Sequence, residues 1–162
     1  MMIRTAKEKD LIEMLNIYND EVLNGVATFD IDPKTLHEWR EWLEEHQDPY
    51  IVLVYEIEGY VAGYASLSSY RKKQAFASCA ELSIYVNKKY RNQHIASRLM
   101  ESVLTYATNR GFHTIVSVIT SGNQVSEHLH KKFGFEYCGT IKEVGYKMNQ
   151  YLSIDNYQII LK

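Results

Sequence analysis

Glu81-Leu82-Ser83-Ile84-Tyr85-Val86-Asn87-Lys88-Lys89-Tyr90-Arg91-Asn92-Gln93-His94-Ile95-Ala96-Ser97-Arg98-Leu99 is the stretch whose reading decides the fold. Its first part closes a β-rich run, Cys79–Val86, with Glu81, Ser83 and Tyr85 on one face and Leu82, Ile84 and Val86 on the other. Its last part changes period. Ile95, Leu99, Val103, Leu104 and Ala107 fall along one side of a helix that Gly111 closes. Between them, Arg91–Ser97 leads from strand into helix. Main-chain amides at a helix N-terminus are unpaired and carry partial positive charge, which suits a diphosphate. Asn92 enters the left-handed region with little strain, and Ala96 leaves room for a close backbone approach. An ordinary strand-to-helix turn has the same make-up, so the turn alone does not decide a function.

Downstream, the sequence predicts a strand at Ile115–Thr120, a turn at Ser121-Gly122-Asn123 and a short helix ending before Gly134-Phe135. Strands at about Tyr137–Ile141 and Ser153–Leu161 finish the chain. Upstream, Ile3–Ala6 reads as a strand. Leu11, Met14, Leu15, Tyr18 and Val22 then mark a helix expected to stop at Asn24-Gly25, with glycine in a left-handed cap. Thr35 and Glu38 have capping-box spacing for a second helix after Asp32-Pro33, whose buried face is Leu36, Trp39, Trp42 and Leu43. Asp48-Pro49 ends it, and Ile51–Tyr55 and Tyr60–Leu67 form a hairpin through Glu56–Gly59. The order β α α β β β α β α β β is that of a mixed α/β (α+β) domain. No repeat, low-complexity tract or linker divides residues 1–162, so one domain is expected.

Length and composition agree. A chain of 162 residues fits one domain by the prior of about 100–200 residues, and such a domain buries roughly 68–70% of its unfolded surface. A net charge of −2, with Lys and Arg scattered, offers no basic face, so no nucleic-acid partner is expected. No apolar run reaches the ~18 residues of a membrane span. Met1–Lys7 lacks the apolar stretch of a secretory signal. Cys79 and Cys138 are too few for a disulfide framework and fit a reducing cytoplasm. Thirteen tyrosines are many for this length and serve as core and interface material.

The central stretch resembles the coenzyme A signature of the GNAT N-acetyltransferases, Arg/Gln-x-x-Gly-x-Gly/Ala, with Arg91, Ile95 and Ala96 in register. Asn123-x-x-Ser126-x-x-x-His130-x-x-Phe133-Gly134-Phe135 resembles that family's second cofactor helix. Within the family, the chain is similar to the phosphinothricin and methionine sulfoximine/sulfone acetyltransferases. The resemblance runs through Ala27-Thr28-Phe29, Trp39, Gly63-Tyr64-Ala65-Ser66, Tyr70-Arg71, Ala80–Val86 and Val144-Gly145-Tyr146-Lys147, nearly the whole chain. Two positions depart from it. His94 replaces the signature glycine, and Tyr151 and Ser153 stand where the subgroup has Trp and Asp. A β-carbon at position 94 limits approach to the phosphates. The loop tilts, the imidazole donates to a phosphate, or the ring simply points to solvent.

What the resemblance implies is an acetyl-CoA-dependent N-acetyltransferase with a mostly antiparallel sheet flanked by helices, no metal, a small-molecule amine as acceptor and homodimeric assembly. The amine attacks the thioester directly, so it must lose a proton, the oxyanion needs donors, and the thiolate benefits from an acid. Glu81 is the candidate base; alternatively it is a charged strand end meeting solvent. Ile84, Tyr85 and Val86 are expected along the pantetheine. Arg91, Asn92, Gln93, His94, Ile95, Ala96 and Ser97 are expected around the diphosphate, with Asn123 and Lys132 from the next helix; Asn123 serves equally as a helix cap. His130 is the candidate general acid or a packed histidine. It stands two residues from His128, so the two cannot share a helix face as a metal pair. Leu82 and Ser83 flank the acceptor. Arg71, with Lys72 and Lys73, is the candidate for a substrate carboxylate or merely a solvated basic loop. Phe29, Tyr70 and Phe76 wall the pocket or pack locally, and Cys79 is read as packing. A protein N-terminal or lysine acceptor, and a non-catalytic acyl-CoA-binding module, are the alternative functions.

Overall fold

The computed structural model describes all residues, Met1–Lys162. In chain order the elements are β1 Met2–Thr5, α1 Leu11–Asn24, α2 Leu36–Glu44, β2 Ile51–Ile57, β3 Tyr60–Ser69, β4 Cys79–Val86, α3 Ile95–Asn109, β5 Thr114–Thr120, α4 Gln124–Lys132, β6 Glu136–Lys147 and β7 Gln150–Ile160. Single 3-10 turns occupy Glu8–Asp10, Gln74–Phe76 and Lys88–Tyr90. One seven-stranded sheet runs β1-β2-β3-β4-β5-β7-β6, antiparallel except between β4 and β5. No helix is long and apolar enough to cross a membrane.

Alternation along the strands sorts side chains between two cores. Leu53, Ala65, Leu67, Leu82, Ile115 and Ile119 meet Leu99, Met100, Val103 and Ala107 of α3 on one face. Val52, Val54 and Tyr64 meet Leu11, Met14, Tyr18, Val22 and Trp39 of α1 and α2 on the other. Each fully buried Leu, Ile, Val or Met side chain among them contributes about 1.5–3 kcal/mol relative to exposure. The expected capping box forms: the Thr35 hydroxyl accepts from the Glu38 amide and the Glu38 carboxylate accepts from the Thr35 amide.

Two sequence expectations change. Gly25 is extended (φ −134°, ψ 179°) rather than left-handed. A β-carbon there would meet the Glu21 carboxylate, which accepts from the Ala27 amide, so a larger residue would have to move that side-chain end. The last two strands are longer than expected and form one hairpin. Its two-residue turn, Met148-Asn149, has φ of 50° and 59°, the pair of left-handed residues that a tight hairpin requires.

The sheet opens at one place. β4 and β5 pair only at Cys79↔Thr114, Ala80↔Ile115 and Glu81↔Val116, although both strands continue beyond. A wedge-shaped gap therefore begins at Glu81.

Candidate active site

On the α1/α2 face, β3 and β4 carry a ladder of directly opposed pairs: Ser68↔Glu81, Ser66↔Ser83 and Tyr64↔Tyr85. Glu81, Ser83 and Tyr85 line a cavity of about 320 Å³ with Phe29, Thr28, Val118 and Thr120. Glu81 is half-buried, and burial raises its carboxyl pKa above the usual range. A carboxylate so placed is a better proton acceptor than one in water.

The opposite edge of β4 is free beyond the opening. The Asn87 amide donates to the Ala62 carbonyl of β3 at 2.9 Å. Alternation then directs the main-chain groups of Leu82, Ile84 and Val86 away from β3 and toward the gap. The Leu82 carbonyl accepts from the Ser117 hydroxyl at 3.3 Å in place of a strand partner. Tyr85 differs from its neighbours: its amide and carbonyl face β3, and its ring enters the cavity.

At the wide end of the gap, α3 begins without a side-chain cap. Its first intrahelical bond runs from the Arg98 amide to the His94 carbonyl at 3.1 Å, so the amides of Ile95, Ala96 and Ser97 point outward unpaired. Asn92 and His94 are left-handed, at φ 62° and 60°. His94 thus adopts the conformation for which the signature uses glycine, with its imidazole exposed and not capping the helix. A free strand edge running to an uncapped helix start fits an extended chain ending in a diphosphate. Gln93 is exposed beside them, and the Arg91 guanidinium lies 3.7 Å from Glu21.

On α4, the Asn123 carboxamide oxygen accepts from the Ser126 amide at 3.2 Å, so Asn123 is the helix cap. Lys132 is exposed, its ammonium over the Phe133 ring. His130 is 4% exposed, packed against Phe135 and Tyr157. Its Nδ1 lies 2.7 Å from the Ser126 carbonyl and its Nε2 2.8 Å from the Ser117 hydroxyl. A carbonyl only accepts, so Nδ1 carries a proton; the single Ser117 proton goes to Nε2 when the ring is neutral, and to the Leu82 carbonyl when Nε2 is protonated and donates. Burial lowers the ring's pKa, partly offset by the Ser126 carbonyl. His130 is thus packed in the interior, the second of the two readings given for it, with Ser117, which the sequence reading did not single out, as its contact toward β4.

Tyr70, Arg71, Lys72, Lys73 and Phe76 do not line either main cavity. They occupy the β3–β4 loop, where the Arg71 guanidinium stacks 5.1 Å from the Tyr70 ring centroid and 5.7 Å from that of Phe76. This cation–π arrangement holds the Arg71 side chain within the β3–β4 loop. Also overlooked were Tyr18, Thr28, Asp30 and Lys147. The Tyr18 hydroxyl donates to the Asp30 carboxylate and lies 2.8 Å from the Thr28 hydroxyl. Buried Lys147 donates to the Thr28 carbonyl at 2.8 Å. No three His, Cys, Asp or Glu side chains converge as a metal-binding group.

Residues 3–155 match the acetyltransferase (GNAT) domain family. The chain belongs to the GNAT family. It is 33% identical over 161 residues to the L-methionine sulfoximine/L-methionine sulfone acetyltransferase of Pseudomonas aeruginosa, covering 98% of this chain and 94% of that protein. The structure superposes with a TM-score of 0.96 and 39% identity on a ribosomal-protein-alanine N-acetyltransferase from Brucella melitensis, covering 99% and 100% of the two chains. It superposes with a TM-score of 0.95 and 31% identity on a GNAT phosphinothricin acetyltransferase from Sinorhizobium meliloti in complex with acetyl-CoA, covering 99% of this chain and 88% of that one. The GNAT chain described above is thus an acetyl-CoA-dependent N-acetyltransferase, and the strand gap and helix start are the features that suit its co-substrate.

Proposed function

We propose that this enzyme acetylates the α-amine of a small amino-acid-like substrate, of the phosphinothricin or methionine sulfoximine/sulfone type, by direct attack in a ternary complex. One observation carries the reading: the last β4–β5 pair is Glu81↔Val116, so a half-buried carboxylate stands where the strand gap opens. Acetyl-CoA supplies the activated acetyl group. The edges of Ile84 and Val86 hold its extended arm, and Arg91 through Ser97 hold its diphosphate, with Asn123 and Lys132 alongside. Glu81 takes the ammonium proton directly or through one water, and main-chain amides at the gap stabilise developing negative charge. His130, when its Nε2 is protonated, passes that proton to the Ser117 hydroxyl as the hydroxyl gives its own proton to the departing thiolate, leaving the ring neutral. Phe29, Leu82 and Ser83 bound the acceptor. Arg71, with Tyr70, Lys72, Lys73 and Phe76, offers a cationic loop to its carboxylate.

Two copies associate through the β6–β7 hairpin, which exposes Tyr137, Ile141, Val144, Tyr146 and Tyr151. Tyr157, part of the tyrosine-rich end, is 2% exposed and belongs to the core instead. Unpaired Cys79 and Cys138 suit a reducing cytoplasm.

The test is thiol release from acetyl-CoA with L-methionine sulfone, L-methionine sulfoximine and phosphinothricin, each expected to support turnover that Glu81→Gln abolishes. A peptide acceptor is the second reading, favoured by the 39% identity to the Brucella protein named for ribosomal-protein alanine. Turnover with an alanine-led peptide but none of the amino acids would replace the first reading with the second.

A further inference from the structure

His46 lies just past the end of α2, and both of its ring nitrogens are engaged. Nδ1 lies 2.6 Å from the Trp42 carbonyl and Nε2 2.8 Å from the Ser68 hydroxyl. Ser68 is in turn the direct partner of Glu81 across the β3–β4 ladder. We propose that Ser68 and His46 are positioning residues for the base: they orient the Glu81 carboxyl and carry the proton it takes from the amine out to solvent. The proposal rests on the reading of Glu81 as the base.

The atoms give the chain a direction. A carbonyl only accepts, so Nδ1 carries a proton, and Nε2 of the neutral ring offers a lone pair. The single Ser68 proton therefore goes to Nε2. Toward Glu81 the Ser68 oxygen presents lone pairs, which repel a carboxylate but accept from a protonated carboxyl. This favours the protonated form of Glu81, in the same direction as its burial. Alternation puts both side chains on the α1/α2 face of the sheet, with β-carbons about 4.5–5.5 Å apart. The carboxyl spans that interval by turning about its own side-chain bonds, or one water does.

The proton transfer balances. Glu81, having taken a proton from the ammonium, gives it to the Ser68 oxygen as the original Ser68 O–H breaks and an N–H forms at Nε2. Glu81 is then a carboxylate again, Ser68 is unchanged, and the ring is a cation that donates to both Trp42 and Ser68. The ring's surroundings suit this brief charge. Burial lowers its pKa, so it is neutral at neutral pH and free to accept. The last carbonyls of α2 and the Glu45 carboxylate favour the cation once it forms. Glu45 is the charged group that acts on the ring from its own segment, and Glu81 faces it across Ser68. The ring packs 4.4 Å from that of Trp42 between centroids and is only half-buried, so the proton can leave to water. Capping the end of α2 would need Nδ1 alone. The bond from Ser68 to Nε2 is what a cap does not require.

The test is kcat for thiol release as a function of pH, with L-methionine sulfone, L-methionine sulfoximine and phosphinothricin as acceptors. The parent is compared with His46→Gln, Ser68→Ala and the double variant. Glutamine still accepts from Ser68 but cannot take up a proton, so a structural role predicts parental kcat for His46→Gln and a relay predicts a loss. His46→Gln and Ser68→Ala should each lower kcat about tenfold at neutral pH, less than loss of the base itself, with both KM values little changed. The double variant should be no worse than either single one. The deficit should shrink as pH falls through the ring's pKa, where Nε2 of the parent is already protonated and cannot accept. Ser68→Thr keeps the hydroxyl and should recover most of what Ser68→Ala loses. Parental kcat in His46→Gln and Ser68→Ala, with turnover still abolished by Glu81→Gln, overturns the relay and leaves the base. A loss that is constant with pH, or that falls on KM instead of kcat, makes His46 structural and also overturns the relay. No thiol release with any of the three amines, or Glu81→Gln turning over like the parent, overturns the base and the relay with it.

Discussion

The ammonium of Lys147 lies 2.8 Å from the carbonyl oxygen of Thr28, joining the end of β6 to the loop after α1. Two residues earlier, Gly145 lies under the Phe29 ring so closely that an added β-carbon would meet Cε2 at 2.4 Å. Ala27, Thr28, Phe29 and Val144 thus line the cavity that holds Glu81, with Gly145 and Lys147 packed against that wall. Gly145→Ala must displace Phe29, at an overpacking cost of about 1–3 kcal/mol. Steady-state kinetics should show the KM for the amine raised several-fold while that for acetyl-CoA stays constant. An unchanged amine KM would remove Phe29 from the acceptor site.

Glu81 offers a sign-specific pH prediction. Burial raises its carboxyl pKa in the folded protein, so its protonated form is the one folding favours. Its contribution to stability is fully present below the unfolded-state pKa and is lost as pH rises through the raised folded value. At neutral pH the ionised base is therefore a net cost to the fold. Glu81→Gln should melt at an equal or higher temperature than the parent at pH 7 while losing turnover by about 10²-fold or more. The acid limb of kcat/KM in the parent should fall above the ordinary glutamate range. A variant that loses stability and activity together would make Glu81 structural.

The order of strands and helices was legible because each element carried its own period, and the Thr35/Glu38 box and the Cys79–Val86 alternation formed as read. Features that depend on long-range approach were not. Asn149 suits a left-handed turn but Met148 does not announce one, so the length of the final hairpin is not legible in the sequence. Ser117 reads as a polar break in an apolar strand. Only the divergence of β5 from β4 gives its hydroxyl the Leu82 carbonyl to meet. Arg71 stands out in the sequence by likeness alone, and its stacking on Tyr70 and Phe76 depends on a loop conformation that local propensity does not specify.

Ser117 and His130 should behave as one unit. The serine hydroxyl is the contact of buried Nε2 and also of the Leu82 edge, so removing either residue breaks the same path to the gap. Ser117→Ala and His130→Gln are each expected to lower kcat by about 10²-fold, with acetyl-CoA KM little changed. The double variant should be no worse than either single one, as for groups that work together. Additive losses would mean separate roles. If the ring is the proton source, the loss in His130→Gln should shrink as pH rises above the ring's pKa, which burial has lowered.

His94 sits at φ 60° with an exposed imidazole, where the family signature has glycine. Histidine tolerates the left-handed region better than most residues, but a β-carbon there still costs about 1–2 kcal/mol. His94→Gly removes that strain and clears the approach to the free amides of Ile95, Ala96 and Ser97. The added freedom of the unfolded chain offsets about 0.4–1 kcal/mol of the gain. The melting temperature should therefore move little, while calorimetric titration should show acetyl-CoA bound more tightly. His94→Val is the opposite case, since a β-branched residue at positive φ is a true outlier. It should destabilise the fold by about 1–3 kcal/mol and weaken acetyl-CoA binding. Tighter binding in His94→Gly would mean that the imidazole obstructs the diphosphate, whereas weaker binding would mean that it donates to it.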